Sequence, residues 1–313
     1  MNIFAVILII AAVLVVLFFI ALAVIFDMTF APKRKEASNY RIIPSTPKYI
    51  EKRAQILEHV EAIAALDFEE VFAKSYDGLA LYGRYYKRSD KNIVKIEFHG
   101  YRSHGYRDFC GSHIMNEIYG INSLIVDMRS HGKSEGSAIT FGIKERYDVV
   151  TWVEKAIEKF GKDVKIILSG VSMGASTVLM ASELSLPENV IGIVADCPFS
   201  DPGDIIKSVA KHRRYNPKLI YPIVKISAKL FAGFDIDSAS PVEAVKNTSI
   251  PILIVHGDED KFVPYHMGKK IFEACASENK RFLTGKGADH ALSYFCDVKG
   301  YTEAVGEFIL SIT

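Results

Sequence analysis

The stretch Lys165-Ile-Ile-Leu-Ser-Gly-Val-Ser-Met-Gly174, continued by Ala175-Ser-Thr-Val-Leu-Met-Ala-Ser182, decides how this chain is read. Its first half is a short apolar run of the kind that forms a strand buried on both faces. Its second half is rich in small residues and reads as a helix lying close to that strand. Between them stands Gly170-Val-Ser172-Met-Gly174. Glycines two residues either side of a serine permit a sharp strand-to-helix turn, because a Cβ at either place would strike the neighbouring strand or helix. Such a turn lifts the Ser172 hydroxyl above the sheet and aims the first N–H groups of the following helix at whatever the hydroxyl attacks. Read without that function, the same residues would be an ordinary strand–helix turn with a capping serine.

Strands and helices alternate on both sides of this turn. Asn92–Phe98 reads as a strand ending in His99-Gly100-Tyr101, Tyr106–Tyr119 as a helix, and Ser123–Met128 as a strand. Lys144–Phe160 follows as a helix, Val190–Ala195 as a strand, and Ile250–Val255 as another. Alternation of this kind predicts right-handed crossovers and a mostly parallel sheet covered by helices on both faces. In such sheets the chemistry lies beyond the carboxyl ends of the strands. His99-Gly100, Asp127, Ser172, Asp196 and His256-Gly257 all fall there. Upstream, Glu69–Lys74 and Leu79–Tyr86 flank Asp77-Gly78 and predict an antiparallel hairpin.

A serine hydroxyl is a weak nucleophile at neutral pH and needs a base, which in turn needs an orienting acid. Two loops at strand ends supply candidates. One is His256-Gly257-Asp258-Glu259-Asp260-Lys-Phe-Val263-Pro264, and the other is Gly285-Lys-Gly287-Ala-Asp289-His290. Asp258 competes with Asp260 for the acid role, and Asp196 also ends a strand. His104, His113 and His131 lie close in sequence but lack a carboxylate or cysteine pattern, so no metal site is expected, and no cofactor motif is present.

These segments resemble the serine α/β-hydrolases. His99-Gly100, Gly170-Val-Ser172-Met-Gly174, His256-Gly257-x-x-Asp260-x-x-Val263-Pro264 and Asp289-His290 occur in that family's order. The likeness is to the bacterial branch resembling serine aminopeptidases and acyl-peptide hydrolases. Asp127-x-Arg129-x-His131-Gly132-x-Ser134-x-Gly136 is similar to that group's D-x-R-G-H-G-x-S-x-G segment, with Ser130 standing at the first glycine. The resemblance spans about residues 69–313. It implies an α/β-hydrolase fold with an eight-stranded, mostly parallel sheet. It implies Ser172 as nucleophile, His290 as general base and then acid, and Asp260 as the orienting acid. The backbone N–H groups of Tyr101 and Met173 would form the oxyanion hole. Asp258 then becomes a turn cap and His99 a structural residue. An ester, amide or thioester would be cleaved through an acyl-enzyme. Two alternatives stay open at this stage: an acyltransferase using the same triad, and a non-catalytic binding protein on the same fold.

Between the strand near Ala195 and the one at Ile250 lie about fifty residues, far more than a usual connection of about 2–6 residues. Asp204–Arg214 and Lys218–Phe231 read as helices there, and residues 200–245 are expected to cap the site. Their aromatic and aliphatic residues predict an apolar pocket, suited to a lipid-like or other hydrophobic acyl substrate rather than a charged one.

Ile3–Phe26 is an unbroken apolar run of 24 residues. As a helix it would span about 36 Å, enough for a bilayer core of about 30 Å. Ala21-Leu22-Ala23 looks like a cleavage site, but the run exceeds a signal h-region of about 7–15 residues and no Lys or Arg precedes it. Residues 1–28 are therefore expected to anchor the protein, with 29–68 a linker and an amphipathic helix over Lys48–Leu66. Lys33, Arg34, Lys35, Arg41, Lys48, Lys52 and Arg53 follow the run, which predicts a single pass with the large domain in the cytoplasm. The balance of 38 basic against 37 acidic residues in 313 argues against nucleic-acid binding. The four scattered cysteines argue against a disulfide framework or a structural zinc.

Overall fold

The computed structural model describes residues 2–33 and 39–313. Arg34 and Lys35, part of the basic cluster, lie outside the described residues. Eight strands form one sheet: β1 (Glu69–Lys74), β2 (Ala80–Tyr86), β3 (Ile93–Phe98), β4 (Asn122–Asp127), β5 (Lys165–Val171), β6 (Val190–Asp196), β7 (Ile252–Gly257) and β8 (Lys280–Gly285). Their order is β1-β2-β4-β3-β5-β6-β7-β8. β2 pairs antiparallel with both β1 and β4, and every later pairing is parallel. This is the α/β-hydrolase fold that the resemblance implies, with the mostly parallel sheet that the alternating pattern predicts.

The longer helices are α1 (Ile3–Thr29), α2 (Pro47–Ala64), α3 (Cys110–Tyr119), α4 (Glu145–Phe160), α5 (Met173–Ala181), α6 (Pro202–His212), α7 (Pro217–Ala232), α8 (Tyr265–Ala274) and α9 (Val298–Ile312). The central strands are apolar on both sides, and successive side chains divide between two cores. Ile166 and Leu168 join the cluster under α4, α5 and α8, whereas Ile167 faces α3 and α9. β5 lies inside the sheet with both faces covered, so the loop beyond its carboxyl end has a rigid base. That is where the Ser172 turn sits.

Two details differ from the periodicity. The helix expected over Tyr106–Tyr119 breaks at Phe109 (φ −113°, ψ 12°), leaving a short turn over Gly105–Asp108 before α3. In α2 the apolar positions whose spacing predicts the helix include Ile50, Ala54, Leu57 and Val60; the structure buries Val60 together with Tyr49, Ile56 and Ile63 and leaves Ile50 59% exposed. The face through Tyr49 and Ile56 has helical spacing too and packs against Phe109, Cys110 and Phe295, which removes more apolar area from water.

α1 is the one helix among the described residues long and apolar enough to cross a membrane. Along Ile7–Ile20 its side chains are exposed, but Leu22 is buried and Phe30, just past its end, is fully buried. The insert between β6 and β7 folds as α6 and α7 over the carboxyl edge of the sheet, and α7 packs along the end of α1.

Candidate active site

Ser172 occupies a left-handed backbone conformation (φ 55°, ψ −115°) at the N-cap of α5. The two glycines explain why this chain can make the turn. A Cβ on Gly174 would land on the Phe98 carbonyl oxygen, and one on Gly170 would land on the Gly174 backbone. Ser172 N–H donates to the Asp196 carbonyl at 2.8 Å, tying the turn to the end of β6.

The Ser172 hydroxyl donates to His290 Nε2 at 2.9 Å, and His290 Nδ1–H donates to Asp260 Oδ2 at 2.7 Å. The other oxygen of Asp260 accepts the N–H groups of Phe262 (2.9 Å) and Val263 (2.8 Å), so that carboxylate is held in place. Burial alone would raise the Asp260 pKa. The neighbouring His290 and His256, with their hydrogen bonds, outweigh burial and hold the carboxyl well below the usual range. Burial likewise opposes the His290 imidazolium, but Asp260 wins and raises its pKa above the ordinary 6.5. The site therefore joins a hydroxyl, an imidazole and an ionised carboxylate in one hydrogen-bonded line.

Tyr101 and Met173 line the same pocket as Ser172. Met173 is the first residue of α5, whose opening N–H groups have no acceptor within the helix. The loop before Tyr101 is pinned from below: Gly100 N–H donates to Asp108 Oδ2 at 2.7 Å, and a Cβ on Gly100 would sit 3.4 Å from the Ser172 Cβ. His99 is buried, donating from Nδ1 to the Gly100 carbonyl and accepting the Met128 N–H at Nε2. Asp258 is not in the line. It accepts the Gly287 N–H at 2.7 Å and caps the loop that carries His290. Ser130 has φ +67°, a conformation glycine favours, and its hydroxyl donates to the Ala138 carbonyl at 2.7 Å. The serine thus takes a backbone conformation that glycine favours, held by a side-chain hydrogen bond that glycine could not make.

Asp196, which its strand-end position offered as an alternative acid, is not the group bonded to His290, and two further features carry no sequence signal. Asp196 is buried beside the line, accepts a hydrogen bond from Tyr301 Oη at 3.1 Å, and has its carboxyl pushed up to about 6 by burial. Its position at a strand end was the available signal. Tyr49 Oη donates to the His290 carbonyl at 3.0 Å, a contact across 241 positions that carries no local pattern. Ile25, Met28 and Thr29 of α1 line the pocket above Ser172. Among the described residues the one metal-like grouping is Cys197, Asp260 and His290, with ligand atoms within 4.8 Å of one another. Two of the three are already joined by a hydrogen bond, and the Cys197 thiol is buried with its pKa well raised, so the protonated, weakly ligating form prevails.

The model of the prolyl oligopeptidase family matches residues 140–304, more than half of the chain. The chain belongs to the prolyl oligopeptidase family. By family and fold it is a serine α/β-hydrolase, as the motif order implies. It is similar to the uncharacterised protein YqkD of Bacillus subtilis, 28% identical over 61% of this chain and 62% of that one. It is also similar to the lysophosphatidylserine lipase ABHD12 of Xenopus tropicalis, 26% identical over 50% of this chain and 40% of the lipase. The alignments span about three fifths or less of the length of these relatives. The Pyrococcus furiosus esterase Pf2001 superposes over 90% of this chain and 99% of its own with a TM-score of 0.65; at 21% identity that likeness speaks for the fold.

Proposed function

We propose that this protein is a membrane-anchored serine hydrolase that cleaves an ester, amide or thioester of a hydrophobic acyl group through an acyl-enzyme. The observation that carries the reading is the unbroken line from Ser172 Oγ through His290 to Asp260, at 2.9 and 2.7 Å, opening onto a largely apolar pocket.

In this reading His290 Nε2 takes the Ser172 proton as Oγ attacks the substrate carbonyl. The tetrahedral oxyanion lies between the N–H groups of Tyr101 and Met173, donors of a kind each worth about 3–4 kcal/mol in the transition state. Asp260 holds the imidazole in the tautomer with the proton on Nδ1 and stabilises the imidazolium. The C–X bond then breaks as His290 returns the proton to the leaving alcohol, amine or thiol, leaving an acyl group on Ser172. Water, deprotonated by the same imidazole, releases the acid and regenerates the hydroxyl.

Residues 1–28 act as the anchor and the following chain as a linker, with the cap over 200–245 excluding water from the pocket. Lys33, Arg41, Lys48, Lys52 and Arg53 favour a cytoplasmic large domain. The name of the lysophosphatidylserine lipase relative supports an ester of a lipid as the substrate.

A fluorophosphonate probe applied to the full chain and to Ser172→Ala tests the nucleophile. Labelling of the wild type alone is expected; equal labelling of both, or of neither, sinks the reading.

A further inference from the structure

We propose that the last two turns of α1 are a wall of the acyl pocket, so that the substrate is a membrane-resident acyl ester whose chain lies along α1 when its carbonyl reaches Ser172. This rests on the hydrolase reading above and names its substrate class.

An apolar helix that only tethers would leave the domain without touching it. α1 instead enters the fold. Ser227 Oγ donates to the Leu22 carbonyl at 3.0 Å, Tyr101 Oη to the Thr29 carbonyl at 2.9 Å, and Arg102 to the Ala31 carbonyl at 2.8 Å. The Thr29 carbonyl is one of the last four that a helix end leaves without an intrahelical partner, Ala31 follows just beyond it, and Leu22 lies within the body of the helix. Phe30 is fully buried, with its ring edge-on to Phe141 (6.0 Å) and Phe234 (5.4 Å). Tyr101, whose N–H would help hold the oxyanion, is therefore bonded through its side chain to the end of the anchor.

The pocket above Ser172 has a volume of about 350 Å³, within the usual range of roughly 300–1,000 Å³ for ligand sites. Ile25 and Met28 of α1 form one side, and Ile220 and Val224 of α7 are among the residues facing them. Outside the pocket, α7 presents Leu219, Ile226 and Leu230 to solvent at helical spacing, 66%, 46% and 52% exposed. α7 packs against α1, so two helices that both expose apolar residues meet here. Large exposed apolar surface marks a membrane or partner interface, and α1 is long enough to cross a bilayer. Exposed Lys218 and Lys229 on the same helix can reach head groups with their stems lying on the apolar face.

The physical consequence concerns desolvation. An acyl chain drawn through water loses about 0.8 kcal/mol of burial for each methylene exposed. A chain that moves along α1 from the bilayer into a pocket walled by the same helix stays in apolar surroundings throughout.

The test uses the full chain in detergent micelles, comparing butanoyl and dodecanoyl p-nitrophenyl esters. Met28→Trp is expected to lower the long-to-short ratio of kcat/KM roughly tenfold, about what losing two buried methylenes is worth. Met28→Ala, which adds no bulk, is expected to raise it. Leu14→Trp, on the exposed part of α1 away from the pocket, is expected to leave it as in the wild type. An unchanged ratio in both Met28 variants, or an equal fall in Leu14→Trp, overturns the wall. A wild-type chain that turns over neither ester sinks the hydrolase reading and this inference with it.

Discussion

Tyr49 Oη donates a 3.0 Å hydrogen bond to the backbone carbonyl of His290. Its neighbours act on the same loop: Lys48 Nζ bonds the Gly287 carbonyl, and Thr46 Oγ1 donates to Asp289 Oδ2 at 2.9 Å. Three positions at the start of α2 thus hold the loop that carries the proposed base. Tyr49→Phe removes one bond worth about 0.5–1.5 kcal/mol. We expect kcat to fall by roughly two- to tenfold with KM little changed, because the imidazole is displaced while the pocket stays intact. Steady-state kinetics on a good ester would show it; a kcat equal to wild type would mean that the loop holds itself.

The two aspartates of the β7 loop make a sharper comparison. Asp260 faces His290 at 2.7 Å, whereas Asp258 caps Gly287. Asp260→Asn is expected to lower kcat/KM by on the order of 10⁴, since the amide favours the wrong imidazole tautomer. Asp258→Asn keeps an oxygen acceptor for the Gly287 N–H and should remain within roughly threefold of wild type. Reversal of that order would exchange their roles.

The pH dependence follows from the raised His290 pKa. The base works only as neutral imidazole, so activity falls as pH drops through its folded-state pKa. The acid limb of kcat/KM is therefore expected above the ordinary histidine value of 6.5. A midpoint at or below that value would show that Asp260 does not dominate the imidazole.

Asp196 makes a separate prediction for stability. Its carboxyl is pushed from 3.8 up to about 6 by burial. A raised folded-state pKa gives a contribution fully present below the unfolded value and lost as pH rises through about 6. The loss is about 3 kcal/mol. Asp196→Asn, always neutral, escapes it. Its melting temperature relative to wild type is expected to climb between roughly pH 4 and pH 7; a constant difference would put the ionisation elsewhere.

Phe30 tests the docking of the anchor. Truncating a fully buried phenylalanine costs about 3–5 kcal/mol, so Phe30→Ala is expected to lower the denaturation midpoint in micelles markedly. Leu14→Ala, where the side chain is 61% exposed, should change it little. Equal midpoints for Phe30→Ala and wild type would detach the helix end from the core.

The features legible in the chain alone were those set by neighbours in sequence. The Gly170–Ser172–Gly174 turn needs only its own glycines and the strand and helix beside it. The parallel sheet follows from alternating runs, and the spanning length of α1 from 24 apolar residues in a row. Periodicity placed α2 and the buried Val60 but not the rest of its buried face, because Ile50 and Ile56 fit a helix equally well until something packs against one of them. The resemblance, through the spacing to Val263-Pro264, already pointed to Asp260 rather than Asp258, and the structure places it against the imidazole. Tertiary structure alone set Tyr301 against Asp196, Tyr49 under the His290 loop, and Phe30 in the core. These contacts have no local signature, since each joins residues whose separation in sequence says nothing of their distance in space. Short-range sterics and hydrophobic periodicity determined that a serine would stand on a bend above a sheet. Only packing decided that the end of the apolar helix would close the pocket over it.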